Sequence, residues 1–270
     1  MTDVLKVKRP IVRYHGGKWK LAPWILDHMP KHRVYVEPYG GGASILLRKT
    51  RSYAEIYNDL DGEVVNLFRA ARDHGYDLRN RLRLTPFARE EFVLSYQPAD
   101  CPIEAARRMV VRSFMGYGSN AVLGKPSGFR ANSNRSGNTP AADWKNYGEA
   151  FTALVERLRG VVIENRDAQQ VMAVHDSPET LHYVDPPYVK STRDNGKDYR
   201  HEMTDSDHLE LAEFLAGLSG MVMVSGYRCA LYDTAFRGWR RLDKAAMADG
   251  ARKRTESLWL SPNIAGGLFA

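Results

Sequence analysis

Two consecutive prolines, Pro186 and Pro187, set the firmest limit on how this chain folds. They follow the apolar run Leu181-His182-Tyr183-Val184, which reads as a short buried strand. Proline brings no N–H to a strand ladder and fixes its own φ, so the strand must stop there. The residue before a proline is pushed out of the helical region, which holds Asp185 and Pro186 extended at the strand's carboxyl end. Such a corner aims one carboxylate (Asp185), one backbone carbonyl (Pro186) and one aromatic face (Tyr188) at the same small volume. Two acceptors and a stacking plate suit a flat ring bearing an exocyclic amine. A strand-ending turn with a surface tyrosine is the plainer alternative.

Other stretches read in the same language. Val34-Tyr35-Val36-Glu37 predicts a strand, followed by Pro38-Tyr39-Gly40-Gly41-Gly42-Ala43-Ser44 and an apolar helical stretch, Ile45-Leu46-Leu47. Strand, glycine turn and helix is the arrangement in which backbone meets an adenosine-type ligand, with the helix N-terminus supplying free N–H groups. It is also an ordinary tight connection. Tyr53 to Tyr57 predicts a second strand ending at Asn58-Asp59. An acid about 20 positions beyond the glycine turn is where a ribose diol is gripped, and the spacing from Gly40 to Asp59 fits. A helix cap is the alternative use, but Asp61 is better placed to cap a helix from Gly62 to His74 that stops at Gly75. Upstream, Arg13-Tyr14-His15-Gly16-Gly17-Lys18 offers a tight turn, with Lys18 opening a helix through Met29. That lysine can pair with a carboxylate or simply be solvated.

Val161 to Glu164 predicts a strand ending in Asn165-Arg166-Asp167, and Met221 to Ser225 another. Lys190 to Met203 reads as a mobile flap. Thr204-Asp205-Ser206-Asp207 reads as a capped helix start, and the helix after it buries Leu211, Phe214, Leu215 and Leu218. Trp239 to Leu242 and Ser257 to Leu260 could close the sheet as a hairpin whose connection carries Arg252-Lys253-Arg254.

From about Tyr76 to Arg159 the strand-and-helix alternation breaks. Ile103 to Met115 predicts a helix, followed by Gly116-Tyr117-Gly118-Ser119-Asn120 and a Gly/Ser/Asn-rich stretch. Between Cys101 and Pro140 stand Arg107, Arg108, Arg112, Lys125, Arg130 and Arg135 against one acid, Glu104. That local excess is +5 (six minus one) in a chain of net charge +7. Cations and small polar residues on a loop suit nucleic-acid phosphates and base edges, though a solvated loop would look the same. The organisation expected is therefore a catalytic domain of 1–75 and 160–270 interrupted by a recognition insertion, 76–159.

Composition narrows the class. A hydrophobic content of 43% and a charged content of 26% are ordinary for a globular protein, and 270 residues can bury a full core. No apolar run reaches the ~18 residues a membrane span needs. The first ten residues have no apolar h-region, so no signal peptide is expected and the location expected is cytoplasmic. Cys101 and Cys229 are far apart, which argues against a zinc site or a disulfide framework.

Together these motifs resemble the Dam-like, D12-class family of adenine-N6 DNA methyltransferases. Asp185-Pro186-Pro187-Tyr188 matches that family's catalytic motif in full. Tyr14-x-Gly16-Gly17-Lys18 matches its N-terminal cofactor motif. Glu37-Pro38-Tyr39-x-Gly41-Gly42 matches its glycine motif, with Ala43 where the family often has a last glycine. The resemblance implies a Rossmann-like class I methyltransferase: a seven-stranded mixed sheet with helices on both faces and an inserted helical target-recognition domain. It implies S-adenosylmethionine as methyl donor and no metal. Tyr14, Lys18, Glu37, Tyr39, Gly41, Gly42, Asp59, Asp167 and Asp185 fall at its cofactor positions, Asp59 on the ribose and Asp167 on the adenine amine. Asp185, Pro186 and Tyr188 fall at the target adenine. In the insertion, Arg108 and Arg112 are candidates for phosphate, with Lys125, Arg130 and Asn120 beside them for DNA. The partner expected is double-stranded DNA, and the protein a monomer. A serine in place of Asp185 would favour cytosine N4 as acceptor. A silent DNA-binding protein would not need Lys18, Asp59 and Asp185 together. GATC-reading members usually carry an Arg-Tyr-Asn-like run in the insertion, and none stands here.

Overall fold

The apolar runs become strands because a central strand can bury both of its faces. β1 (Val34–Glu37), β2 (Ala54–Asn58), β4 (Thr180–Val184) and β5 (Met221–Tyr227) are buried along nearly their whole length. β3 (Val161–Glu164) alternates buried and exposed, as an edge strand does. β6 (Arg240–Met247) and β7 (Lys253–Leu260) form the closing hairpin, longer than the sequence indicated. The computed structural model describes residues 6–134, 137–193, 199–247 and 253–265. These strands make a seven-stranded sheet in the order β3-β2-β1-β4-β5-β7-β6. β1 to β5 pair in parallel, and β7 runs antiparallel to both of its neighbours. The Rossmann-like mixed sheet expected above is therefore present. No helix among the described residues is long and apolar enough to cross a membrane.

The described chain divides into two compact units. One contains the sheet: Lys20–Gly40, Lys49–Leu60 and Gly160–Ala270. Val36, Val184, Val222 and Val224 of its strands pack with Val171 and Met172 of the Ala168–His175 helix and Leu211 and Leu215 of the Asp205–Ala216 helix. The latter helix starts in a capping box: Thr204 accepts from the Asp207 amide, and the Asp207 side chain accepts from the Thr204 amide. Asn58, fully buried at the end of β2, ties neighbouring chain ends together. Its Nδ2 donates to the carbonyls of Pro38 (2.9 Å) and Arg166 (3.0 Å), and its Oδ1 accepts from the Arg166 amide (2.9 Å). The Gly40 amide donates to the Asn58 carbonyl at 2.8 Å. A Cβ on Gly40 would stand 2.1 Å from the Tyr57 ring, so glycine is obligatory at that approach.

The other unit comprises Met1–Trp19, Gly41–Arg48 and Asp61–Arg159. Its helices Gly62–Asp73, Gly75–Leu84, Pro102–Met115 and Tyr147–Leu158 pack on one another. Asp61 caps the first of them by accepting from the Glu63 amide. Gly75 does not merely stop that helix; it opens the next one. A Cβ there would lie 2.6 Å from Val155, so its absence lets the Tyr147–Leu158 helix come close.

Two expected helices are corrected. Lys18 does not open a helix through Met29: the helix is Ala22–Asp27, with Pro23 in its first turn. A proline in the interior of a longer helix would forfeit a ladder hydrogen bond, so it sits in the first turn instead. Ile45-Leu46-Leu47 forms turns rather than a helix, with Leu47 N bonded to Ala43 O (3.0 Å) and Arg48 N to Ile45 O (3.0 Å). All three side chains are buried, and Ala43 just before them has φ +50°, outside the helical region.

Candidate active site

The strand order reverses between β1 and β4, and a parallel sheet opens a crevice at the carboxyl ends of the strands where that happens. Those ends carry the acids. Glu37 ends β1 and is 2% exposed; the Tyr35 hydroxyl donates to its Oε2 at 2.7 Å. Asp59 follows β2, and Asp185 follows β4 where the prolines stop the strand. Asp167, just beyond β3, caps the Ala168–His175 helix, its Oδ1 accepting from the amides of Gln169 (3.0 Å) and Gln170 (3.1 Å). Tyr39 lies within the field of Asp167, Asp207 and Asp59. Its burial, chiefly, and then those carboxylates push the phenol far above its usual range. The sheet unit thus brings Tyr39, Asp59 and Asp167 together.

Asp185 is half-buried, and Ser225 of β5 donates to its Oδ1 at 2.7 Å. Tyr188, expected as a stacking plate, is buried, which sets aside the alternative of a surface tyrosine. Its hydroxyl donates to Glu256 Oε1, and its ring stands edge-on to Tyr227 at 4.7 Å and 75°. Arg254 lies over the other aromatic, 5.9 Å from the Tyr227 centroid. Ser225, Tyr227 and Glu256 escaped the sequence reading. Their signal was hairpin register: β7 pairs with β5 so that Glu256 lies opposite Tyr227, and no local pattern encodes that pairing.

In the helical unit, Gly17 N bonds Tyr14 O (3.1 Å) and Lys18 Nζ donates to Gly16 O (2.8 Å), so the motif is a closed turn with a buried lysine. The Tyr14 ring fills the space over the glycine turn. A Cβ at Gly41, whose φ is +46°, would lie 2.8 Å from Tyr14 Cε1, and one at Gly42 3.1 Å from Tyr14 Cβ. Close approach at these glycines is therefore made by Tyr14 itself. The helix N-terminus expected to follow them is absent, because only one turn forms there. Ala43 adopts a left-handed φ of +50°, which explains why a glycine suits that position.

The basic stretch between Cys101 and Pro140 is more neutral, at the arginines of its helix, than its sequence implied. Arg107 is buried and bonds Glu91 (2.7 Å), Glu104 (2.7 Å) and Thr85 (2.9 Å). Arg107 foremost, and then Arg108, hold the Glu104 carboxyl down at about 2. Arg108 bonds Glu104 (2.8 Å) and the carbonyl of Pro98 (2.8 Å). Arg112 is buried against the Ser95 carbonyl and Glu63. Arg130 donates to Phe114 O (3.0 Å) from a half-buried position, beside Phe129, whose ring packs on Phe87 and Phe92. Lys125 is half-buried, its carbonyl accepting from the Tyr96 hydroxyl. The Asn120 side chain, Arg135, the centre of the flap (194–198) and the hairpin connection (248–252) lie outside the described residues.

The sheet order, the acids at the strand ends and the Asp-Pro-Pro-Tyr corner meet in one known family. Residues 14–249 match the model of the D12 class N6 adenine-specific DNA methyltransferases. The chain belongs to this family. It methylates adenine in DNA. Relatives include the Type II methyltransferase M1.LlaDCHI of Lactococcus lactis subsp. cremoris, 26% identical over 72% of this chain and 71% of that one. The DNA adenine methylase of Salmonella typhi is 25% identical over 94% of this chain and 95% of its own length. That of Escherichia coli (strain K12) is 26% identical over 79% and 78%. The Asp185 corner thus belongs to a D12 methyltransferase, and its geometry bears on how an adenine amine is handled.

Proposed function

We propose that this methyltransferase takes its methyl from S-adenosylmethionine and delivers it to N6 of an adenine flipped out of a specific double-stranded DNA sequence. The observation that carries the reading is Asp185: a carboxylate at the end of β4, at the switch point of the sheet, ordered by a bond from Ser225. The residues present suit the donor. A ribose diol and an amine need acceptors, which Asp59, Asp167 and Glu37 supply. The donor's carboxylate needs a cation, which Lys18 supplies. Tyr39 offers an aromatic wall between Asp59 and Asp167, and the Tyr14–Gly41–Gly42 turn supplies backbone.

S-adenosylmethionine brings an electrophilic methyl group carried on sulfonium. The protein's own task is to make the adenine amine a nucleophile. The N6 lone pair is delocalised into the ring. Asp185 and the Pro186 carbonyl accept its two hydrogens, which draws the nitrogen toward a tetrahedral form with its lone pair directed outward. The positive charge developing on nitrogen is then stabilised by a fixed carboxylate. An adenine inside a duplex cannot reach this corner, and flipping it out costs a few kcal/mol. We assign stacking on the base to Tyr188; because its ring is buried, the base must displace a neighbour to meet it. In the helical unit, Arg130, Lys125 and Asn120 remain the candidates for DNA contact, while Glu104 and Glu63 meet the charges of Arg108 and Arg112. Arg254, over Tyr227, is a further phosphate candidate.

The test is methyl transfer from labelled S-adenosylmethionine to unmethylated genomic DNA, with adenine and cytosine products separated. N6-methyladenine should form, and Asp185→Ala should abolish turnover while donor binding survives. A near-wild-type single-turnover rate for that variant would remove Asp185 from the chemistry.

A further inference from the structure

We propose that Ser225 and Tyr183 form a positioning pair that sets the plane of the Asp185 carboxylate. The inference rests on the reading of Asp185 as acceptor for the N6 hydrogens. Tyr183 and Ser225 lie on neighbouring parallel strands, β4 and β5. Both are 1% exposed. Ser225 Oγ donates to Asp185 Oδ1 at 2.7 Å. An ionised carboxylate only accepts, so the Ser225 proton is committed to it. The Ser225 oxygen then has lone pairs left to accept, and the Tyr183 hydroxyl is 3.0 Å away. Tyr183 keeps its proton: burial first, then the Asp185 charge, raises its phenol well above the usual range. The direction of the chain follows, from Tyr183 O–H to Ser225 Oγ and from Ser225 O–H to Asp185 Oδ1.

Such a bond acts directly on the Asp185 side chain. The backbone of Asp185 is held by the prolines, but its side chain keeps two torsions, and it is only half-buried. A charge-assisted bond from a buried hydroxyl on the next strand pins one oxygen and so sets the carboxylate plane. Donation from Tyr183 polarises that hydroxyl and prevents it from rotating away. Neither residue touches the reacting atoms, so both are positioning residues. Neither belongs to the Asp-Pro-Pro-Tyr tetrapeptide.

The experiment compares full-length wild type, Ser225→Ala, Tyr183→Phe, the double variant and Asp185→Ala on unmethylated genomic DNA. It reads single-turnover rate, KM for DNA, S-adenosylmethionine affinity and melting temperature. Ser225→Ala should lower the rate by about 10- to 100-fold, with KM and donor affinity within about twofold. Tyr183→Phe should lower the rate by about threefold, and the double variant should be no slower than Ser225→Ala, because Tyr183 acts through Ser225. A wild-type rate for Ser225→Ala beside an inactive Asp185→Ala would overturn the pair and leave the Asp185 reading standing. Rate losses that multiply and track a fall in melting temperature would reduce the pair to packing and overturn it. An active Asp185→Ala would overturn the reading on which the pair rests.

Discussion

At the scale of single residues, placement separates side chains that the sequence made look alike. Asp59, Asp61 and Asp167 are all acids near strand ends, yet Asp61 is a helix cap and Asp167 both caps a helix and faces Tyr39. Asp59, directly after β2, is the residue we propose for the ribose. Asp59→Ala should weaken S-adenosylmethionine by about one to two decades, the loss of charge-assisted bonds of roughly 1.5–3 kcal/mol, with DNA affinity nearly unchanged. Calorimetry on the variant decides it; undiminished donor binding would leave Asp59 outside the site. The arginines divide in the same way. Arg107→Ala takes the arginine from Glu91 and one of two arginines from Glu104, and should cost about 1–3 kcal/mol of stability, with the salt slope of DNA binding unchanged. Arg130→Ala should instead cost roughly 1–3 kcal/mol of discrimination between cognate and scrambled duplexes. Urea melts and binding isotherms at several salt concentrations separate the two, and a lowered salt slope for Arg107→Ala would contradict its internal role.

At the scale of elements, the carboxyl ends of β1, β2 and β3 are held together by one side chain. Asn58 joins the Pro38 carbonyl, the Arg166 carbonyl and the Arg166 amide, which neither a leucine nor an aspartate could do. The segments it joins carry Glu37, Tyr39, Asp59 and Asp167. Asn58→Leu takes the partner from three backbone groups, of which the bond to the Pro38 carbonyl is buried, and should cost about 1–3 kcal/mol. It should weaken donor binding as well, because the acids lose their common frame. A variant with wild-type denaturation midpoint and donor affinity would show that the strand ends hold themselves.

At the scale of the whole molecule, stability should fall on the acid side in two stages. Burial, foremost, pushes the imidazoles of His32, His182 and His208 below the usual 6.5. The unfolded chain therefore binds protons that the folded chain refuses once pH drops below 6.5, and stability present above that value is lost as pH falls. The Glu104 carboxyl, held at about 2 rather than 4.5, adds a second loss as pH falls from 4.5 toward 2. Urea midpoints followed downward from neutral pH should decline before the ordinary carboxylate range is reached. His182→Gln should flatten the first stage, and a midpoint constant down to the carboxylate range would refute the imidazole contribution.

Much of this protein was legible in its chain because the relevant physics is local. A proline pair must end a strand, a buried parallel strand must be apolar, and Asp61 and Thr204 must cap whatever helix follows them. The strands, the Asp185 corner and the family resemblance all rest on such rules. Other features depend on which distant segments meet. Ser225 and Glu256 reach the corner only through the register of β4, β5 and β7. Gly75 looks like a helix stop until Val155 arrives beside it, and nothing near Gly41 in the sequence shows that a Cβ there would meet the Tyr14 ring. The arginines of the insertion read as a surface charge until Glu63, Glu91 and Glu104 fold against them. The chain by itself determined where backbone must turn and which chemistry it carries. Tertiary structure alone decided which charges are neutralised inside and which side chains hold the Asp185 carboxylate, because those depend on distances between residues that sequence separation does not encode.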